Sequence, residues 1–406
     1  MRTTLGKKAT FAHPKNRFNS HGFSIFRMSF FRIDNSAQRI FGLDLLRFFA
    51  IMFVVLGHSK ILLPAEYKYY IDVILLDGVS IFFVLSGFLI GGILIKQLEK
   101  EKPTFKGLLN FWSRRWLRTL PMYVIVLTFL VIYTFALKPE RLPADWFRYY
   151  FFVQNFETPQ PPFFSEAWSL SIEEWFYLLT PVLLFGGLRL FRIKVRTMLL
   201  ITAIAGVCAV VLYRFYLYHT FHYVTAKEVD LNVMRQVLTR LDAIMFGVIG
   251  AVISYYFPQI WRKGNILLVI LGFYLLYYFK FHTYSKTSLN YIVWMPALKS
   301  LCVLIMLPYL SRLQRGLGKL TSWITTISLI SYSMYLINRT VVIDVCIKYM
   351  LHGNLRDKHK IDPDFWVWEY VLFWVLSIAM SFVLYKTIEI PFMRLRDWRK
   401  KLRKNP

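Results

Sequence analysis

The chain has 406 residues, of which 56% are hydrophobic and 18% aromatic, too apolar for a water-soluble domain of that length. Its 50 Lys and Arg against 23 Asp and Glu leave a formal charge of +27. The basic residues fall in the gaps between apolar runs, where they meet anionic headgroups and set orientation, so nucleic acid is not an expected partner.

Residues 1–38 form a basic leader, predicted to be cytoplasmic. The first apolar run begins near residue 41 and is longer than the apolar part of a signal peptide, so it reads as an uncleaved span. A spanning helix needs roughly 20 mostly apolar residues. That length predicts helices near 42–63, 74–95, 117–137, 172–190, 198–218, 236–256, 265–281, 290–310, 323–343 and 366–388. The expected fold class is therefore all-α: a polytopic integral membrane bundle of about ten transmembrane helices. One transmembrane domain covers 39–390, and 391–406 form a second basic cytoplasmic segment.

Orientation follows from Lys and Arg near the span ends. The leader, the connection from Lys96 to Arg118 and the segment after Pro391 are rich in them, whereas 64–73 holds only Lys68. Both termini are expected in the cytoplasm, and the protein in the inner (cytoplasmic) membrane as a multi-pass chain. The long connections 138–171 and 344–365 then lie outside. The first is rich in Pro and aromatic residues and is expected to hold an interfacial or re-entrant piece rather than a free loop. Cys208, Cys302 and Cys346 are too widely spaced for a CxxC pair, so neither a disulfide framework nor a cysteine metal site is indicated.

Ionisable groups at membrane depth are costly and each needs a reason. His58 sits in the first span, eleven residues beyond Arg47, or about 16 Å of helix. It is either a histidine hydrogen-bonded between packed helices or at the interface, or a catalytic base, and spacing leaves both readings open. Glu173 and Glu174 open the fourth predicted span. Ser169 with Glu173 matches a helix-capping arrangement, and the same carboxylate could serve chemistry. Topology places Glu173, Asp242 at the start of the sixth span and Asn338 toward the end of the ninth in one outer layer with His58. A histidine beside a carboxylate is a workable general base. Arg47, Arg114, Arg115 and Arg118 gather at the cytoplasmic mouths, where they either enforce topology or hold phosphates. Gly87 and Gly91 form a small-xxx-small face for close helix packing. His58 has no second histidine at ligand spacing, so no metal is expected.

Several segments, in order, resemble the membrane acyltransferase 3 family over about residues 39–395. They are Arg39 to Arg47 leading to Gly57-His58, Phe82 to Ile90, Phe111 to Pro121, Trp168 to Tyr177, Arg240 to Ala243, Ser331 to Leu336, and Glu389-Ile390-Pro391. The resemblance implies transfer of acetyl or other short acyl groups from acyl-CoA, a co-substrate rather than a tightly bound cofactor, to hydroxyls of cell-surface glycans or lipid-linked sugars. It implies His58 as catalytic histidine, Glu173 as its acidic partner, Arg47, Arg114 and Arg115 on the donor side, and Trp168, Asp242 and Asn338 toward the acceptor. Asn338 departs from the histidine common at that place in the family. Asn can hydrogen-bond but takes no proton at neutral pH, which makes its expected role positional. Membrane lipids and a second copy of the chain complete the expected partners. The competing class is a transporter or flippase for a lipid-linked or acylated sugar.

Overall fold

A computed structural model describes residues 39–282, 285–316, 318–351 and 365–396. The leader 1–38, most of the predicted connection 344–365 and the last ten residues lie outside the described part.

The described residues form helices joined by turns, with no strand among them. In chain order the principal helices are α1 (Phe41–Ser59), α2 (Ala65–Ile74), α3 (Gly78–Lys100), α4 (Phe105–Leu137), α5 (Ala167–Phe191) and α6 (Val195–Thr220). Then come α7 (Leu241–Tyr256), α8 (Ile266–Phe281), α9 (Met295–Leu310), α10 (Leu320–Ile337) and α11 (Phe365–Leu384). α10 runs on into a π-helical segment, Asn338–Leu351.

Among the described residues, eight helices are long and apolar enough to cross a membrane, making this a multi-pass membrane protein. Ten were expected. The other two apolar runs, α7 and α8, are 16 residues each, about 24 Å of helix against a hydrocarbon core of roughly 30 Å. α7 starts five residues later than its apolar run suggests because the residues before it use their side chains elsewhere. Gln236 donates to the Glu157 carbonyl and Arg240 to Ser80 Oγ, so this stretch forms a packed turn. α4 errs the other way. Its 33 residues begin a dozen before the apolar run, on Thr104, whose side chain caps Gly107 N–H at 3.1 Å, and this polar extension carries Arg114, Arg115 and Arg118.

Two glycines set the centre of the bundle. A Cβ on Gly87 of α3 would lie 1.9 Å from the Ile244 carbonyl oxygen, and one on Gly247 of α7 would lie 2.1 Å from that of Val84. The two backbones therefore touch directly, as small-residue membrane interfaces do. Around this contact lie two apolar cores. One joins α3, α5, α6 and α7 through Phe83, Ile90, Phe176, Leu184, Leu199 and Val248. The other joins α1, α3 and α9 through Leu46, Ala50, Val84, Met306 and Leu307.

The connection between α4 and α5 packs back onto the bundle, as its composition suggested. Tyr149 and Phe164 are fully buried, Tyr123 donates its hydroxyl to the Tyr149 carbonyl at 2.9 Å, and Asn155 Nδ2 donates to the carbonyls of Trp168 and Arg235. The protein itself thus satisfies part of this irregular backbone.

Candidate active site

α1 links two polar regions, with Asp44 and Arg47 in its first two turns and His58 in its last. His58 Nδ1 lies 2.6 Å from Asn338 Oδ1. The Asn338 amide has no freedom to turn over: its Nδ2 donates to the carbonyls of Met334 at 2.8 Å and Tyr335 at 2.9 Å. Oδ1 is therefore the acceptor, Nδ1 of His58 carries the proton, and Nε2 keeps its lone pair. This is the tautomer a general base needs, supplied by a neutral amide instead of a carboxylate. His58 borders a cavity of about 450 Å³ that is also lined by Lys60, Lys68, Ser165, Arg235 and Arg339.

Asn338 is itself held at the point where α10 passes into wider π-type turns, where backbone groups go without their usual partners. Glu166 supplies them. Its Oε1 accepts the main-chain N–H groups of Arg339 at 3.0 Å and Thr340 at 2.7 Å, and the Thr340 hydroxyl donates to Oε2. Glu166 is only 1% exposed. Burial holds its carboxyl above the ordinary glutamate range, and the Thr340 hydrogen bonds offset only part of that rise. Beside it Ser169 Oγ and Tyr335 Oη meet at 2.5 Å.

The second polar region is a cavity of about 110 Å³ whose lining includes Arg47, Arg115, Arg118, Ser86, Glu173 and Tyr332. Arg115 and Arg118 also line an adjoining recess with Arg114 and Arg396. Arg47 is held by Asp44 at 3.2 Å and Ser328 at 3.3 Å. Arg115 donates to Tyr177 Oη at 2.5 Å and lies 3.8 Å from Glu173. Glu173 in turn accepts from Ser86 Oγ at 3.0 Å and Tyr177 Oη at 2.7 Å.

These contacts revise the layer expected around His58. Asn338 belongs to it. Glu173 does not pair with His58: α5 begins at Ala167, five residues before the predicted 172, so Glu173 lies nearly two turns inside and joins the arginine cavity. The capping alternative also falls, since the residue at the helix start is Glu166 and Ser169 bonds to Tyr335. Asp242 is sealed from both cavities in an ion pair with Arg214, 2.6 Å long with both side chains fully buried. Trp168 packs its ring edge-on against Phe83 at 6.0 Å and offers only its carbonyl to Asn155. Of the donor-side residues, Arg47 and Arg115 line the cavity and Arg114 its adjoining recess.

Sequence reasoning missed Glu166, Arg235 and Arg339. Glu166 carried a visible signal, a lone acidic residue between aromatic segments just ahead of a span. The two arginines look like ordinary loop charges until the chain folds.

Known proteins give an independent comparison. A family model described as an acyltransferase domain matches residues 40–386. A peptidoglycan O-acetyltransferase OatA of Listeria monocytogenes is 38% identical over 123 residues, 26% of this chain and 19% of the relative. An O-acetyltransferase OatA of Staphylococcus aureus is 26% identical over 241 residues, 55% of this chain and 36% of the relative. The chain thus spans about a third or less of the length of these relatives. No solved structure matches. With a family model matched over most of its length, around a half-buried histidine and a cluster of arginines joined by one helix, the chain belongs to the acyltransferase 3 family.

Proposed function

We propose that the protein is an acyl-CoA-dependent O-acyltransferase that moves acetyl or another short acyl group to a hydroxyl of a cell-surface glycan or lipid-linked sugar. The observation that carries this reading is the Asn338 amide, whose fixed orientation leaves the lone pair on Nε2 of His58, a residue that lines a cavity. The acceptor hydroxyl gives its proton to Nε2 while its oxygen bonds the acyl carbon. The carbon–sulfur bond of the thioester then breaks, and the proton passes on to the departing thiolate. Arg47, Arg115 and Arg118 hold the donor's phosphates as charge-assisted forks. Glu173 and Tyr177 keep Arg115 extended toward them. The relatives named peptidoglycan O-acetyltransferase and O-acetyltransferase support acetyl as the acyl group and a wall glycan as the acceptor.

Both termini are proposed to lie in the cytoplasm, with the arginine cavity on that side and His58 toward the outer face of the inner membrane. Family membership favours this reading over a transporter or flippase.

The test uses the full chain purified into lipid nanodiscs with labelled acetyl-CoA and wall glycan fragments. Transfer is expected without any membrane gradient, and His58→Ala should abolish it at unchanged thermal stability. Transfer by the variant at the wild-type rate would remove His58 from the mechanism, and a requirement for a gradient would favour transport.

A further inference from the structure

The walls of the His58 cavity are strongly cationic. Lys60, Lys68, Arg235 and Arg339 line it together, and among the described residues no acidic side chain does. Three of them have carboxylate partners: Asp72 for Lys60, Asp230 for Arg235 at 2.5 Å and Asp344 for Arg339 at 3.7 Å. Those carboxylates stand outside the lining, with 50%, 44% and 39% of their side-chain surfaces exposed, where water weakens their hold. Lys68 forms no ion pair with any described residue.

Topology does not account for this cluster. The positive-inside rule gathers Lys and Arg at one membrane face. The face it would select here is taken by Arg47, Arg114, Arg115 and Arg118, at the other end of α1 from His58. A base that only deprotonates a sugar hydroxyl does not need four cations around it either. Converging ammonium and guanidinium groups in a concave, partly desolvated space are the chemistry of anion recognition. At about 450 Å³ the cavity is within the usual size of a ligand pocket.

We infer that the acceptor entering the His58 cavity is an anionic sugar, carrying a phosphate or carboxylate that Lys60, Lys68, Arg235 and Arg339 bind while its hydroxyl faces Nε2. This rests on His58 being the acyl-transfer base, and it narrows the acceptor to a charged class.

Binding tests it separately from catalysis. The full chain in nanodiscs is titrated with N-acetylglucosamine, N-acetylglucosamine phosphate, N-acetylmuramic acid and inorganic phosphate. At least one charged sugar is expected to bind about tenfold more tightly than the neutral one, and which one does so identifies phosphate or carboxylate as the recognised group. The double variant Arg235→Gln, Arg339→Gln is expected to erase the preference while leaving acetyl-CoA binding intact. Lys68→Gln, a single change at a partly exposed residue, should weaken it several-fold and covers the case in which the double variant does not fold. Equal binding of neutral and charged sugars overturns the inference, and so does inorganic phosphate binding as tightly as the sugar phosphate. If charged sugars bind preferentially but no acyl transfer is found, the anion site stands and the proposed reaction falls.

Discussion

Removing the Asn338 side chain isolates the role of the amide. In Asn338→Ala the Met334 carbonyl keeps a partner, since the main-chain N–H of residue 338 already donates to it. The loss therefore falls on the Tyr335 carbonyl, which gives up its amide donor, and on His58 Nδ1–H, which no longer has an acceptor. Leaving a buried donor unpaired costs about 1–3 kcal/mol, and the imidazole escapes that cost by moving its proton to Nε2, where it can no longer act as a base. At 1.36 kcal/mol per factor of ten, the loss of this bias lowers the transfer rate roughly 5- to 150-fold. Asn338→Val, which fills the space a rescuing water would take, should lose at least as much. The assay is steady-state transfer from labelled acetyl-CoA in nanodiscs, with thermal unfolding measured on the same samples. The loss should fall on kcat, with KM for acetyl-CoA unchanged, because the arginine cavity is built from other side chains. A variant that keeps more than half the wild-type rate, or that changes only KM for the donor, would refute the tautomer argument.

Other perturbations separate support from chemistry. Glu166→Ala takes the acceptor from two main-chain N–H groups and one hydroxyl and is expected to destabilise the protein by about 3 kcal/mol. Thermal unfolding reads this, and a midpoint equal to wild type would contradict the clamp. Asp242→Asn leaves the Arg214 guanidinium buried without its counter-charge and should cost about 3–5 kcal/mol, whereas Arg214→Met with Asp242→Leu should restore most of it. An additive double variant would show that the pair is not coupled. Gly87→Ala forces a methyl into the Ile244 backbone and should lower stability by about 3 kcal/mol or more. Gly92→Ala, where nothing lies within 4 Å, should be neutral or slightly stabilising. Equal unfolding midpoints for the two glycine variants would mean that α3 and α7 do not touch as described.

His58 and Arg47 were legible in the sequence because an ionisable residue inside an apolar run is costly wherever the chain goes. Gly87 was legible because helical spacing alone puts it on one face with Gly91. The partners were not legible. Glu173 and Asp242 have the composition of site residues, and only the packing of α5 on α4 and of α6 on α7 directs one to Arg115 and the other to Arg214. Glu166 and Thr340 are 174 positions apart, and no local periodicity encodes a contact between a connection and a π-helical turn. The sixth predicted span is shorter than its apolar run for a related reason. Hydropathy marks where a helix would be stable in lipid, but Gln236 and Arg240 spend their side chains on a turn.

α1 also acts as a ruler. Arg47 and His58 sit on one unbroken helix, so their spacing of about 16 Å along the axis cannot shrink without breaking backbone hydrogen bonds. Under the proposed function, in which the donor is anchored at the arginines and consumed at the histidine, its reactive carbon must sit on an arm that covers most of that spacing. On that reading a short activated acyl group, such as a simple acyl phosphate, cannot reach the histidine however well its charge suits the arginines, and the pitch of a helix would select the donor along with the groups that bind it.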